Sequence, residues 1–134
     1  MIIGISSKFN FGSWDHNVYT FDNEAAAEKW LHTEEYDFRE RELFDDVKEA
    51  VKLAGITAVA EAIEGRTLEE DELWKALRNV YGLTQKKMSE ITGIPKRSIE
   101  NWENGARTAP PYMLDLVETK LSDSDNDNDN NAQK

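Results

Sequence analysis

The sequence of 134 residues has no cysteine and only two histidines. Disulfides and thiolate metal sites are thereby excluded, and His16 and His32 are not spaced as a ligand pair, so neither a metal nor a cofactor is expected. There is no glycine-rich phosphate loop, and neither histidine stands beside a carboxylate cluster in a catalytic spacing, so no enzyme is indicated. The acidic run from Glu34 to Asp46 lacks the ligand pattern of a calcium loop. No apolar run approaches the ~20 residues that a membrane-spanning helix requires. The opening MIIGISSKF lacks the basic and apolar regions of a signal peptide, so a cytoplasmic protein with no membrane partner is expected.

What is abundant is acid. The net charge is −11, and its distribution is uneven. Residues 1–65 hold 6 basic and 14 acidic side chains, residues 66–121 hold 9 of each, and the last thirteen hold 1 and 4. An acidic first half therefore precedes a locally neutral second half and a short acidic tail.

Residues 2–9 (IIGISSKF) and 17–21 (NVYTF) are β-type runs separated by the turn formers of NFGSWDHN, which predicts a hairpin with a long loop. Asn23 caps a helix whose Ala26, Ala27, Trp30 and Leu31 make an apolar stripe suited to a core. The segment 36–44 (YDFRERELF) can pair as a third strand or join the following helix. Asp45 or Asp46 caps that helix, and Phe44, Val47, Val51 and Ala54 line one side of it until Gly55. Residues 1–55 thus read as a small acidic ββαβα unit, and 56–66 as a connector helix or linker. Thr67 and Glu70 have the spacing of a capping box opening a helix to about Tyr81, with Leu73, Trp74, Leu77 and Val80 inward. Pro110 and Pro111 start a last helix, with Met113, Leu114 and Val117 facing the core. The tail, 122–134, has no apolar residue larger than alanine and is expected to be disordered.

Between these helices lies LTQKKMSEITGIPKRSIENWENG, residues 83–105. Thr84 caps a short helix with Met88 and Ile91 on one face, Gly93 permits the positive φ of a tight turn, and Pro95 suits the start of a second helix ending near Gly105. Ile94, Ile99 and Trp102 face inward, whereas Lys96, Arg97, Glu100, Asn101 and Asn104 share the opposite face. That is a helix-turn-helix pattern, and it resembles the DNA-binding domain of phage repressors and Cro proteins, the XRE type, over about residues 67–121. Gln85 stands at the opening glutamine of that family's motif, Gly93 at the turn, Ile99 and Trp102 at two core positions, and Glu103-Asn104-Gly105 at the acid-polar-glycine close. Ser89 departs from the usual alanine and is nearly as small.

The fold class so indicated is α+β, a small N-terminal unit followed by an all-α, repressor-like domain. The resemblance implies that the second helix enters the major groove with Lys96, Arg97 and Asn101 at the base-reading positions. Their chemistry agrees: Arg97 can hold guanine O6 and N7, Lys96 the same acceptors or a phosphate, and Asn101 adenine N6 and N7. Gln85 is placed to hold a phosphate, with Lys86, Ser98 and Arg107 as further phosphate contacts, and Glu100 either accepts from a cytosine or points away. The resemblance further implies a structural ion pair between Arg78 and Glu103. The expected function is a sequence-specific regulator of transcription, a homodimer on a palindromic double-stranded DNA operator, repressing an operon of a bacterium, phage or mobile element. The alternative is an antitoxin or anti-CRISPR-like inhibitor whose acidic N-terminal unit binds a protein while the helix-turn-helix autoregulates. Solubility alone is a competing reason for the acid excess.

Overall fold

Strand β1 (Ile2–Asn10) is the centre of the first half of the chain, flanked by β2 (Ser13–Phe21) and β3 (Glu40–Phe44) in an antiparallel sheet of order β2-β1-β3. The computed structural model describes residues 1–33 and 39–132, with side chains as far as residue 126. Alternation places Ile3, Ile5 and Ser7 on one face of β1 and Gly4 and Ser6 on the other, and all five are buried. A strand buried on both faces needs cover on both. Helix α1 (Glu24–Leu31), capped by Asn23 through a 2.8 Å hydrogen bond from the Ala26 amide, brings Trp30 over Gly4, Tyr19 and Phe21. Helices α2 (Val47–Ala54) and α3 (Ile56–Glu64) cover the other face, and Ala50, Val51, Ile56 and Val59 join Ile3 and Ile5 in the core. Asp46 caps α2, accepting from the Lys48 amide at 2.9 Å.

The hairpin differs from the long loop expected. Pairing runs from Ile2 opposite Phe21 to Asn10 opposite Ser13, so the connection is Phe11 and Gly12 alone. Both have positive φ, 51° and 85°, the backbone pattern of a type I′ turn, which favours Asn-Gly and disfavours a bulky first residue. The turn formers of 13–17 are drawn into the ladder by ring contacts across the strands and along β2. Phe9 and Trp14 lie 5.5 Å apart, and Trp14 stacks on His16 at 6.3 Å. The ambiguous segment 36–44 supplies β3 from Glu40 onward, while 36–38 lie outside the described residues.

The chain divides into two units, Met1–Thr67 and Leu68–Lys134, and α3 packs within the first, on α2 and β2. The second unit is helical: α4 (Glu70–Val80), α5 (Gln85–Thr92), α6 (Lys96–Glu103) and α7 (Met113–Ala132). The capping box lies two residues later than the sequence spacing suggests. Glu69 is the N-cap, and its amide donates to the Glu72 carboxylate at 3.2 Å. The reason is burial: with Glu69 as cap, Leu68 and Leu73 take the two positions of a hydrophobic staple, and both are buried. Helix α7 buries Val117 and Leu121 and runs past the expected end at 121 to Ala132. Among the described residues no helix is long and apolar enough to cross a membrane.

Two substitutions in the sheet should act in opposite directions. A Cβ on Gly4 would lie 2.6 Å from a Trp30 ring carbon and 2.8 Å from Phe21, so Gly4→Ala should destabilise the first unit by about 2 kcal/mol. Phe11→Asn removes a left-handed bulky residue whose side chain is 99% exposed and should stabilise it by about 1 kcal/mol. Amide-exchange protection of β1 checks both, and a Gly4→Ala protein with undiminished protection would refute the close-contact argument.

Candidate nucleic-acid interface

The second unit is a frame for one short helix. Helix α6 packs against α4 and α5, and α7 packs against α5. Helix α5 starts because the Thr84 hydroxyl accepts from the Lys87 amide at 3.0 Å, and it stops because Gly93, at φ 76°, reverses the chain. Two hydroxyls hold the turn between α5 and α6. Ser89 donates to the Ile94 carbonyl at 2.5 Å, and Thr92 accepts from the Ile94 amide at 3.2 Å. Ser89 reads in the sequence only as a small spacer, but its hydroxyl gives the turn a bond that alanine would not. Pro95 takes the N-cap position, its missing N–H no loss there.

The inner face of α6 is fixed by three groups. Ile99 is fully buried, as are Met88 and Leu77 of the same unit, and Trp102 packs on Trp74 with ring centroids 4.9 Å apart. Glu103, 3% exposed, receives two parallel hydrogen bonds from Arg78, Nε to Oε2 at 2.9 Å and Nη2 to Oε1 at 2.8 Å. The third nitrogen, Nη1, donates to the Leu83 carbonyl at 2.9 Å. One guanidinium thus ties α4 to the end of α6 and to the residue preceding the α5 cap. The hydrogen bond to Glu103 raises the Arg78 pKa against the opposing effect of burial. A raised pKa means that this contribution is complete below the arginine's ordinary range and lost only above it, so it is constant through neutral pH.

On the outer face, Lys96 and Arg97 are exposed in the first turn of α6, and Ser98 and Asn101 are half-buried. Lys96 lies 3.7 Å from Glu100, an exposed i,i+4 pair that contributes little and is easily exchanged for a phosphate or base. Glu100, left open by the sequence, therefore has a partner on its own helix. Arg97 has no protein partner among the described residues. Gln85 is half-buried at the first position of α5 and Lys86 is exposed beside it. Arg107 lies in the loop after α6, where its amide donates to the Asn101 carbonyl at 3.2 Å and its side chain is exposed. Lys87 is exposed and 3.8 Å from Glu90.

A three-residue turn between two short helices, with the second pinned from behind and polar in front, defines a helix-turn-helix domain. Residues 75–121 match the family model described as helix-turn-helix, the XRE type to which the motif is similar. The chain is also similar to the type II methyltransferase M.MspI of Moraxella sp., 33% identical over 63 residues, which are 47% of this chain and 15% of that protein. The chain thus spans only a small part of the curated relative's length. No solved structure matches the chain significantly.

Replacing Arg78 with alanine leaves Glu103 buried without a partner and should destabilise the second unit by about 3 kcal/mol. Arg78→Lys keeps the charge but not the fork, and should recover only part of that loss. Urea unfolding measures both; equal stability of wild type and Arg78→Ala would show that the pair does not hold the helices.

Proposed function

We propose that the protein is a sequence-specific regulator of transcription that binds double-stranded DNA through α6. The observation that carries this reading is the outer face of that helix: Lys96 and Arg97 exposed on a helix whose other face is fully committed to Ile99, Trp102 and Glu103. In this reading Lys96, Arg97 and Asn101 contact base edges, and Gln85, Lys86, Ser98 and Arg107 contact phosphates. Eight residues of helix read only a few base pairs, so the regulator acts as a homodimer on a palindrome with half-sites ~34–36 Å apart. Tyr112, immediately before α7, and Leu116 in its first turn are both exposed and supply an apolar patch suited to that pairing. The natural role is repression of its own operon in the cytoplasm of a bacterium, or from a phage or mobile element.

A second reading concerns the first unit alone. Its acid excess and its exposed aromatic residues favour a protein target for it, as in an antitoxin or an anti-CRISPR-like inhibitor whose helix-turn-helix controls expression. The two readings agree about α6 and differ in what the regulator responds to.

Binding to DNA from upstream of the protein's own gene tests the first reading. Affinity should fall on the order of 10²-fold between about 50 and 200 mM salt, given the few basic residues available. Lys96→Ala/Arg97→Ala should abolish sequence preference at unchanged stability. If that double variant binds as selectively as wild type, α6 is not the reading helix.

A further inference from the structure

The tip of the β1–β2 hairpin and the sheet face behind it have features that neither stability nor DNA contact explains. Phe11 occupies a left-handed turn position that suits asparagine or glycine, and its ring is 99% exposed. Phe9 and Trp14, 58% and 52% exposed, pair beside it. Trp14 stacks on His16, whose Nδ1 lies 2.7 Å from the Ser7 hydroxyl, so the aromatic row is anchored to the buried strand and is not a loose fringe. Behind this row lies an open cavity of about 650 Å³ lined by Ile5, Trp14, His16, Glu40, Glu42 and Leu53. An apolar cleft continuous with an exposed aromatic tip is the surface of a binding protein rather than of a solubilising one.

Charge decides what can occupy it. Glu40 and Glu42 line the cleft, and neither has an ion-pair partner among the described residues. Arg41 lies between them in sequence and also borders the cavity, but its guanidinium is over the Trp30 ring, 5.7 Å from the centroid, and donates to the Thr33 carbonyl. Arg39 is likewise engaged, with Asp15 at 3.0 Å and with Ser6. Lys52 pairs with Glu49 at 3.4 Å. The contacts of Arg41 place its guanidinium without cancelling its charge, so the lining nets −1, Glu40 and Glu42 against Arg41, within a half-chain carrying 6 basic and 14 acidic side chains. Nucleic acid and anionic membrane are repelled by such a surface, and so is a second copy of it.

We propose that the hairpin tip and cleft dock a basic protein segment, one presenting an aromatic or aliphatic anchor flanked by lysine or arginine. The anchor fills the cleft between Trp14 and Leu53, the flanking cations meet Glu40 and Glu42, and Phe11 inserts into the partner's own apolar surface. Central aromatic contacts ringed by complementary charge are the arrangement in which a few residues carry most of an interface's affinity. The inference takes up the second reading of the first unit and does not depend on the DNA-binding one.

Selection of a random twelve-residue phage-displayed peptide library on the full-length protein tests it. The expected result is an enriched set with an aromatic or aliphatic residue next to two or more lysines or arginines. A synthetic peptide of that set should bind wild type at least about tenfold more tightly than it binds Trp14→Ala or Phe11→Asn, with loss of affinity at high salt. Phe11→Asn keeps the test decisive, because that variant is expected to fold at least as well as wild type. Failure to enrich any set, enrichment of neutral or acidic sequences, or binding by Phe11→Asn and Trp14→Ala as tight as that of wild type would overturn the proposal. Sedimentation showing a dimer that Phe11→Asn dissociates would overturn it too, by assigning the tip to a second copy. Upstream-DNA binding should be the same for Phe11→Asn and wild type, so failure of either reading is seen separately.

Discussion

The second unit depends on a single guanidinium. Helix α6 has eight residues, well below the length at which a helix is stable by itself, and it contributes one fully buried apolar side chain, Ile99. Its angle to α4 therefore needs something more directional than apolar contact. The fork of Arg78 supplies it: two parallel bonds to Glu103 fix both distance and rotation at the end of α6, and the third bond holds the Leu83 carbonyl just before the cap of α5. A buried ion pair of this kind costs desolvation that its attraction roughly offsets, so its value lies in arrangement more than in net stability. On the proposed reading, in which α6 meets base edges, little rotation is tolerated, and there such an arrangement matters.

Local signals in the sequence transferred well to the structure because their physics is local. Asn23, Thr84 and Asp46 cap their helices through hydrogen bonds spanning two or three residues, and Gly93 adopts the positive φ of the turn it marks. The misread places are those where a distant or non-local demand overrides the local pattern. Thr67 and Glu70 have capping-box spacing, but the burial of Leu68 moves the cap to Glu69. The residues 10–17 look like a loop one at a time, yet the ring contacts of Phe9 with Trp14 across the strands and of Trp14 with His16 along β2 carry the ladder through them to a turn of two residues. Ser89 could be read as small but not as a donor, since its acceptor, the Ile94 carbonyl, exists only once Gly93 has turned the chain. On α6 the sequence shows which residues share the outer face; that Lys96 leans toward Glu100 while Arg97 stands apart is a matter of side-chain geometry that periodicity does not reach.

The two units also distribute polarity on different terms. In the second, acids and bases balance, the buried charge is paired, and the exposed cations are few, so a DNA contact must come from placement and repetition rather than from a broad positive field. In the first, the sheet follows the ordinary rules everywhere its core is concerned: Ile3 and Ile5 inward, Gly4 under Trp30, Asn23 and Asp46 at helix starts. Among the described residues it departs from them most in one neighbourhood. A phenylalanine sits in a left-handed turn, two further aromatic residues face water, and two glutamates border an apolar cleft without partners. Sequences that are otherwise locally consistent depart from consistency where something other than folding is selected. Scattered departures would be noise. These share one end of one sheet face, which is why the proposal assigns them together to one docking surface for a basic protein segment.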